Sequence, residues 1–554
     1  MNTTIKNLDS TNATYTGHII DVVGRRMFDG SFTVEQGRIA SIEECEVAAD
    51  APYYLPGFID SHVHVESSMM TPPEFARIAS CHGTVGAVCD PHEIANVLGK
   101  AGVEMMCSLG HLARFRFAFG VPSCVPSCNP EIETSGYTLD ADAVAQLIKR
   151  DDIYFLAEMM NFPGVLGGDP QVMAKIKASL ACGKPVDGHA PGLLGEVRKQ
   201  YADAGITTDH ECTTLDEGRD AVKCGMIVQI RQGSAAKDYN ALAPLIAEAP
   251  GQVMFCTDDS HPTDFINSHI DRIVRRAIAD GYDIMDILTA ACATPMRHYN
   301  IPTGLLQVGD VADFISVTDL TPNFRVLDTY VDGVNIYSST GLFISSLLND
   351  HSVELAEIMN DENVNKFNAS MITEGDIART PSAEEHIIVA TDGSLLTTHE
   401  VGAVTSDVQK MVVLDRYTPG AKPVVAYIKG FGIKKGAFAQ SIAHDCHNII
   451  AVGSDDKYLV QTINKVIEMT GGIAVTDGYN SDQLPLPIGG LMSMLCGYEL
   501  AVRNQRLEKI VKDAGCPFNS PFITLGFMAL PVIPQIKLTD KGLFDGNKFQ
   551  FIEQ

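Results

Sequence analysis

Two histidines separated by a single residue, His62 and His64, lie in the segment GFIDSHVHVES. Residues two apart in a β-strand face the same side of the sheet, so both imidazoles point in one direction. Neutral imidazole is a common ligand for zinc, iron and manganese ions. The pair alone is a weak signal for a metal site, because two polar residues at a strand end fit the same spacing.

Metal-capable side chains also end four other apolar runs. They are Glu158 in IYFLAE, His189 in KPVDGH, His210 in GITTDH and Asp258 in QVMFCTD. A random scatter of the sixteen histidines would rarely place four of them at such ends. Together with the first pair, these residues could hold two metal ions, and two neighbouring ions can activate a shared hydroxide.

The elements that position these residues are apolar runs alternating with helical stretches between Leu55 and Asp259. Eight runs read as strands: GFIDSHVHV, GAVCDPHE, FRFAFGV, IYFLAEM, KPVDGHA, GITTDHE, MIVQIRQG and QVMFCTDD. Strands that alternate with helices predict a parallel sheet, and eight units in about 200 residues favour a closed βα barrel. An open doubly wound sheet is the structural alternative, which counting strands does not exclude.

The flanking segments predict further domains. We expect an α/β protein with a (βα)8 TIM-like barrel at 57–299, beside a small β-sandwich domain built from both flanks, 1–56 and 300–345. Residues 346–384 are polar and predict a connector. Alternating strand and helix patterns over 385–554 predict a separate C-terminal α+β domain.

Composition narrows the class of protein. The 554 residues include 41 Lys and Arg against 69 Asp and Glu, a net charge of −28, which disfavours nucleic acid as a partner. No apolar run has membrane-spanning length, and the polar N-terminus does not resemble a secretory signal. The 14 scattered cysteines indicate reduced thiols. These features predict a cytoplasmic protein that does not bind membranes.

Several motifs resemble known families. The segment PGFIDSHVH, with the lone histidines 189 and 210 and the TD at Asp258, resembles the metal-dependent amidohydrolase superfamily. The segments DPHEIANV, AEMMNFPGV, DGHAPGL, TTDHE and TDDSHP are similar to those of the bacterial adenine deaminases, and this resemblance covers essentially the whole chain.

The resemblance implies hydrolytic deamination of adenine to hypoxanthine and ammonia by metal-activated hydroxide, a reaction of purine salvage. It also implies a binuclear centre of Mn(II) or Fe(II), with Zn(II) compatible, and a homo-oligomer. The implied metal ligands are His62, His64, Glu158, His189, His210 and Asp258.

The fourth strand distinguishes branches of the superfamily. Hydantoinase-like members carry a carbamylated lysine there, whereas this strand offers Glu158, and Lys149 lies upstream on a predicted helix. Comparison with the family therefore favours Glu158 as the bridging ligand and counts against a cyclic-amide hydrolase. A barrel that binds metal without catalysis, or a structural scaffold, are further alternatives, but all six ligand positions are filled.

Asp258 has two expected roles, as a metal ligand and as the general base. A carboxylate beside dications stays ionised at neutral pH. Asp259 follows directly, and we expect it to face away if the strand continues. Because two aspartates are adjacent, Asp259 is the alternative to Asp258 for both roles.

A further group of residues is expected to contact substrate or support the ligands: Asp90, His92, Glu93, Glu211 and His261. For the DPHE segment, a simple turn is an equal alternative. The C-terminal segment SIAHDCHN contains His444 and His447. We interpret it as a polar turn between strands, in preference to part of an active-site lid or an extra metal site.

Overall fold

The computed structural model describes residues 12–340, 364–392 and 394–553. The chain begins with an antiparallel meander whose strands alternate buried apolar and exposed polar residues. Its strands are β1 (Ala13–Asp21), β2 (Arg26–Glu35), β3 (Arg38–Glu44) and β4 (Tyr53–Pro56).

Eight parallel strands follow, and they correspond to the eight predicted apolar runs. They are β5 (Phe58–Val63), β6 (Thr84–Cys89), β7 (Arg116–Val121), β8 (Ile153–Met159), β9 (Val186–Gly188), β10 (Thr208–Asp209), β11 (Ile227–Arg231) and β12 (Val253–Cys256). Their near-continuous burial is typical of parallel strands covered by helices.

Hydrogen bonds close these strands into a ring. Strands β5 to β9 form one sheet and β10 to β12 another. The amide of Thr207 donates to Val186 O at 2.9 Å across one junction. Across the other, the amide of Asp258 donates to His62 O at 2.9 Å. The predicted barrel is therefore confirmed, and the open doubly wound alternative is wrong.

Helices surround the barrel. They are α1 (Pro72–Cys81), α2 (His92–Leu98), α3 (Lys100–His111), α4 (Ala141–Leu147), α5 (Phe162–Gly167), α6 (Pro170–Ala181), α7 (Gly195–Asp203), α8 (Leu215–Lys223), α9 (Tyr239–Leu242), α10 (Leu245–Glu248), α11 (Pro262–Phe265), α12 (Ile270–Ala279), α13 (Ile284–Leu288) and α14 (Thr294–Tyr299). Several begin at a side-chain cap, such as Asp169, which accepts from two amides of α6.

After the barrel the chain returns to the first sheet. Strands β13 (Phe314–Val317), β14 (Val326–Val331) and β15 (Val334–Ser338) join it in the order β15-β14-β13-β4-β1-β2-β3. In a flat sheet, β1 and β14 would lie three strand spacings, or about 14 Å, apart. The rings of Tyr15 and Tyr330 on these two strands are only 5.2 Å apart, so the sheet curls around an aromatic core.

The C-terminal region contains a second sheet of eight strands. These are β16 (Glu385–Val389), β17 (Thr398–Gly402), β18 (Val408–Leu414), β19 (Val424–Lys429), β20 (Ala437–Gln440), β21 (Ile449–Gly453), β22 (Gly472–Thr476) and β23 (Ser481–Pro485). Three short strands form a separate sheet: β24 (Ile536–Thr539), β25 (Gly542–Asp545) and β26 (Gln550–Phe551).

Three helices accompany these sheets: α15 (Asp456–Glu468), α16 (Gly497–Asp513) and α17 (Pro521–Gly526). Of the predicted connector, 346–363 lies outside the described residues. The rest of it packs on this region, because Ile372 and Ile377 share a core with Leu459 and Val466 of α15. In the part of the chain described here, no helix is long and apolar enough to cross a membrane.

Candidate active site

The six predicted metal ligands meet at one end of the barrel. His62 lies in β5 and Glu158 in β8. His64, His189 and His210 each follow directly after a strand, and Asp258 comes two residues after β12. Parallel strands of a barrel all end at the same mouth, so residues distant in sequence converge there. All six side chains are buried.

Glu158 lies at the centre of the cluster, and its two oxygens face different partners. Oε1 lies 3.3 Å from His64 Nε2 and 3.9 Å from His62 Nε2. Oε2 lies 2.7 Å from His189 Nδ1 and 3.1 Å from His210 Nε2. One carboxylate thus joins two pairs of imidazoles.

Asp258 completes the first pair. Its Oδ1 lies 3.2 Å from His64 Nε2 and 3.7 Å from His62 Nε2. Both ring nitrogens of His62 are buried without a hydrogen-bond partner. Leaving such atoms unpaired is costly unless a cation takes up a lone pair. The ligand atoms of His62, His64 and Asp258 all lie within 4.8 Å of one another, as do those of His62, Glu158 and His210, so these residues fit divalent metal.

The carboxylates of the cluster are held in their ionised form. Burial alone would raise the pKa of Glu158, but His210 and His189 hold that pKa well below its usual value. Burial likewise opposes ionisation of Asp258. The hydrogen bond from His64 and the charge of Arg231 nevertheless keep the pKa of Asp258 well below its ordinary value.

Arg231, at the end of β11, was not expected from the sequence. Its Nη1 donates to Asp258 Oδ2 at 3.1 Å, and its Nε donates to Asp238 Oδ2 at 2.9 Å. It also pairs with Glu211. The available signal was a single arginine inside the apolar run MIVQIRQG, since buried arginines are rare unless paired.

Asp259 does not face away from the site, because the strand does not continue as that expectation required. The strand ends at Cys256, and Asp258 has a φ of 56°, in the left-handed region that aspartate tolerates. The backbone therefore turns, and both aspartates line one cavity. Ser67 Oγ donates to Asp259 Oδ1 at 2.5 Å.

Among the five supporting candidates, Asp90 and His92 lie beside the cluster. His92 Nδ1 is 3.0 Å from Asp90 Oδ2 and 3.4 Å from Glu158 Oε1. The carbonyl oxygen of Asp90 lies 3.1 Å from His64 Nδ1 and orients that ring.

The other three candidates differ in position. Glu211 faces the second pair, with Oε1 3.7 Å from His189 Nδ1 and 3.5 Å from His210 Nε2. Glu93 points instead toward the C-terminal region, where it contacts His444 and His447. His261 is buried before α11 and is not among the residues that line the cavity. Burial lowers the pKa of His261 to about 4.

A cavity at the barrel mouth lies over the ligand cluster and is lined by residues of both the barrel and the C-terminal region. Its far wall comes from the C-terminal region: Leu395, His444, Asp445, Phe527, Leu530 and Ile533. His444 and His447 lie in a turn between β20 and β21, as the sequence favours, but that turn is not at the surface. Both are buried against Glu93 of the barrel, with His444 Nδ1 2.7 Å from Glu93 Oε1.

Two family descriptions match this chain. Residues 53–336 match the amidohydrolase family, and residues 373–550 match the adenine deaminase C-terminal domain. The chain is 47% identical over 539 residues to an adenine deaminase of Sulfurovum sp. (strain NBC37-1), covering 96% of this chain and 98% of that protein.

Two further similarities were found. An adenine deaminase of Salinibacter ruber is 45% identical over 553 residues, covering 97% of this chain and 98% of that protein. A solved N-acetyl-D-glucosamine-6-phosphate deacetylase from Mycobacterium smegmatis aligns with a TM-score of 0.45 and 15% identity, over 58% of this chain and 99% of that one.

Proposed function

Because this chain belongs to the amidohydrolase family and, within it, to the adenine deaminases, we propose that it hydrolyses adenine to hypoxanthine and ammonia at the barrel mouth. The observation that carries the proposal is the placement of Glu158, whose two oxygens face two separate pairs of histidines. Few arrangements other than a shared metal ligand account for a buried carboxylate among four imidazoles.

We assign His62, His64 and Asp258 to one divalent ion and His189 and His210 to a second, with Glu158 shared between them. The nitrogen and oxygen donors, without sulfur, suit manganese, iron or zinc. The family resemblance favours Mn(II) or Fe(II) among these. When bound, two such ions supply Lewis acidity and lower the pKa of water to near neutrality.

Asp258 is the proposed general base. Its carboxylate is ionised, lines the cavity and is held from behind by Arg231. In this role it takes a proton from water as the water oxygen adds to C6 of adenine. It then delivers that proton to the amino nitrogen, which leaves as ammonia when the C6–N bond breaks.

The cavity walls supply selectivity for a flat base. The apolar side chains of Leu395, Phe527 and Leu530 face the polar cluster, so a planar ring can bury its faces while its edges meet polar groups. The net charge of −28 also suits a small neutral substrate better than an anionic one.

The test is ammonia release from adenine by the purified full chain supplied with Mn(II), with bound metal counted on the same sample. We expect release to fall by about 10²-fold or more in Asp258→Asn. Asp216→Asn is the matched control, since the side chain of Asp216 is 93% exposed. A wild-type sample that holds two ions per chain yet releases no ammonia from adenine would refute the proposal.

A further inference from the structure

The described part of the C-terminal region presents two ionisable side chains to the cavity, those of His444 and Asp445; the other four of its residues in that wall are apolar. His444 is 3% exposed, yet it borders the space that holds the substrate in the proposed function. The described residues thus include an imidazole that enters the active site from outside the barrel.

His444 is fixed in orientation on two sides. Its Nδ1 lies 2.7 Å from Glu93 Oε1. Its ring stacks on Phe527 with centroids 4.2 Å apart and planes within 3°. The other oxygen of Glu93 contacts His447, so the carboxylate is clamped between two imidazoles of the C-terminal region.

The ionisation of Glu93 determines which nitrogen of His444 is free. Burial opposes the charge, but His444, His447 and His92 hold the pKa of Glu93 well below its ordinary value. An ionised carboxylate only accepts hydrogen bonds, so Nδ1 of His444 must donate to it. No hydrogen bond to Nε2 of His444 is formed by any residue of the described chain, which leaves that nitrogen for a ligand.

The charged groups around His444 favour its protonated form. Burial lowers its pKa, but Glu93, Asp259 and Asp445 outweigh that effect and raise the pKa of His444 to about 9. His447 contacts the same carboxylate, and His261 and His92 lie nearby. A protonated imidazole that is anchored at one nitrogen can deliver a proton from the other.

Three other acids at the cavity have partners of their own, and Oδ2 of a fourth, Asp445, lies 3.7 Å from His92 Nε2. Glu211 is paired with Arg231. Asp259 accepts the hydroxyl of Ser67. Asp258 contacts His64 through Oδ1 and Arg231 through Oδ2.

We propose that Nε2 of His444, positioned by Glu93, donates a proton to a ring nitrogen of the purine as water adds to C6. This inference rests on the proposed function. As the C–O bond forms, the electron pair of the adjacent C–N double bond moves to the ring nitrogen, which takes the proton of His444. Asp258 carries a proton of water to the amine, ammonia leaves, and the second proton of water restores His444.

The main variant is His444→Gln in the full, metal-loaded chain. Loss of a general acid lowers kcat by about 10²-fold or more, with bound metal unchanged. The profile of kcat/KM against pH should also lose its alkaline decline, since that decline reports the protonated imidazole. His111→Gln is the matched control, because the side chain of His111 is 67% exposed.

A second variant tests the positioning role of Glu93. In Glu93→Gln the carboxylate charge is lost, so the alkaline decline should move to lower pH while His444 remains present. If the kcat of His444→Gln stays within threefold of the wild-type value and the alkaline decline is intact, this inference is overturned, while the proposed function still stands. Absence of adenine deamination in the metal-loaded wild type would instead overturn the proposed function.

Discussion

Arg231 Nη1 lies 3.1 Å from Asp258 Oδ2, while the opposite oxygen of that carboxylate, Oδ1, lies 3.2 Å from His64 Nε2. The guanidinium therefore binds one oxygen of the proposed base, and the other oxygen, Oδ1, faces the metal ligands. Because Arg231 also pairs with Glu211, one buried cation balances two carboxylates of the site.

Replacing this cation should destabilise the folded chain. In Arg231→Met, Asp258 and Glu211 remain buried without their partner, and we expect the free energy of unfolding to fall by about 3–5 kcal/mol. Urea denaturation measures this loss. Arg219→Met is the control, since that arginine pairs with Glu248 at the surface. Equal effects of the two substitutions would contradict the role given to Arg231.

The shared position of Glu158 predicts a change in metal content. Glu158→Gln removes the charge that faces both histidine pairs, so we expect fewer bound ions per chain than in the wild type. Ammonia release should fall by about 100-fold or more. Metal analysis after dialysis is the measurement, and Glu131→Gln at an exposed position is the control. Full metal content in Glu158→Gln would exclude it as a ligand.

Tyr201 fixes the strand ends that carry two of the ligands. Its hydroxyl donates to Met159 O at 2.7 Å and accepts from the amide of His189 at 3.0 Å. Tyr201→Phe should lower the free energy of unfolding by about 1–3 kcal/mol. It should also weaken metal affinity by about 10-fold, measured by competition with a chelator. Tyr479→Phe, at a residue 85% exposed, should change neither quantity.

Lys537 predicts a pH dependence of stability. Its Nζ donates to Leu395 O at 2.7 Å and Phe527 O at 3.0 Å, and burial lowers its pKa to about 7. The unfolded chain binds the proton up to a pKa of about 10.4, so the penalty of burial is full below pH 7 and shrinks as pH rises.

Between pH 7 and pH 9, the stability of the wild type should therefore rise by about 2 kcal/mol relative to Lys537→Met. Denaturation of both proteins at the two pH values measures the difference. A constant difference between them would show that Lys537 does not titrate in this range.

Much of the fold followed from the sequence because its signals are local. Each strand of the barrel is a short apolar run, and the ligands stand at strand ends, where a barrel gathers them. For the curled sheet, the sequence predicted strands on both flanks that join in one small β-domain, but not which strands are neighbours. Which strands pair depends on side-chain packing, such as that of Tyr15 against Tyr330.

The parts of the site that the sequence did not predict depend on contacts between distant segments. The pairing of Arg231 with Asp258 needs two strand ends in register. The contact of Glu93 with His444 joins positions 351 residues apart, and the local sequence around either residue does not predict it. The position of Asp259 depended on whether the strand continues, and the left-handed conformation of Asp258 after the strand end turns Asp259 toward the cavity.

The pairing of β4 with β13 determines when the first sheet can form during synthesis. Pro56 lies opposite Phe314 in that pairing, so the first sheet cannot close until the whole barrel has left the ribosome. The metal ligands, which end at Asp258, emerge earlier still, and His444 and Phe527 come last. A nascent chain therefore exposes its ligand cluster to the surrounding ions before the wall that covers it has been translated.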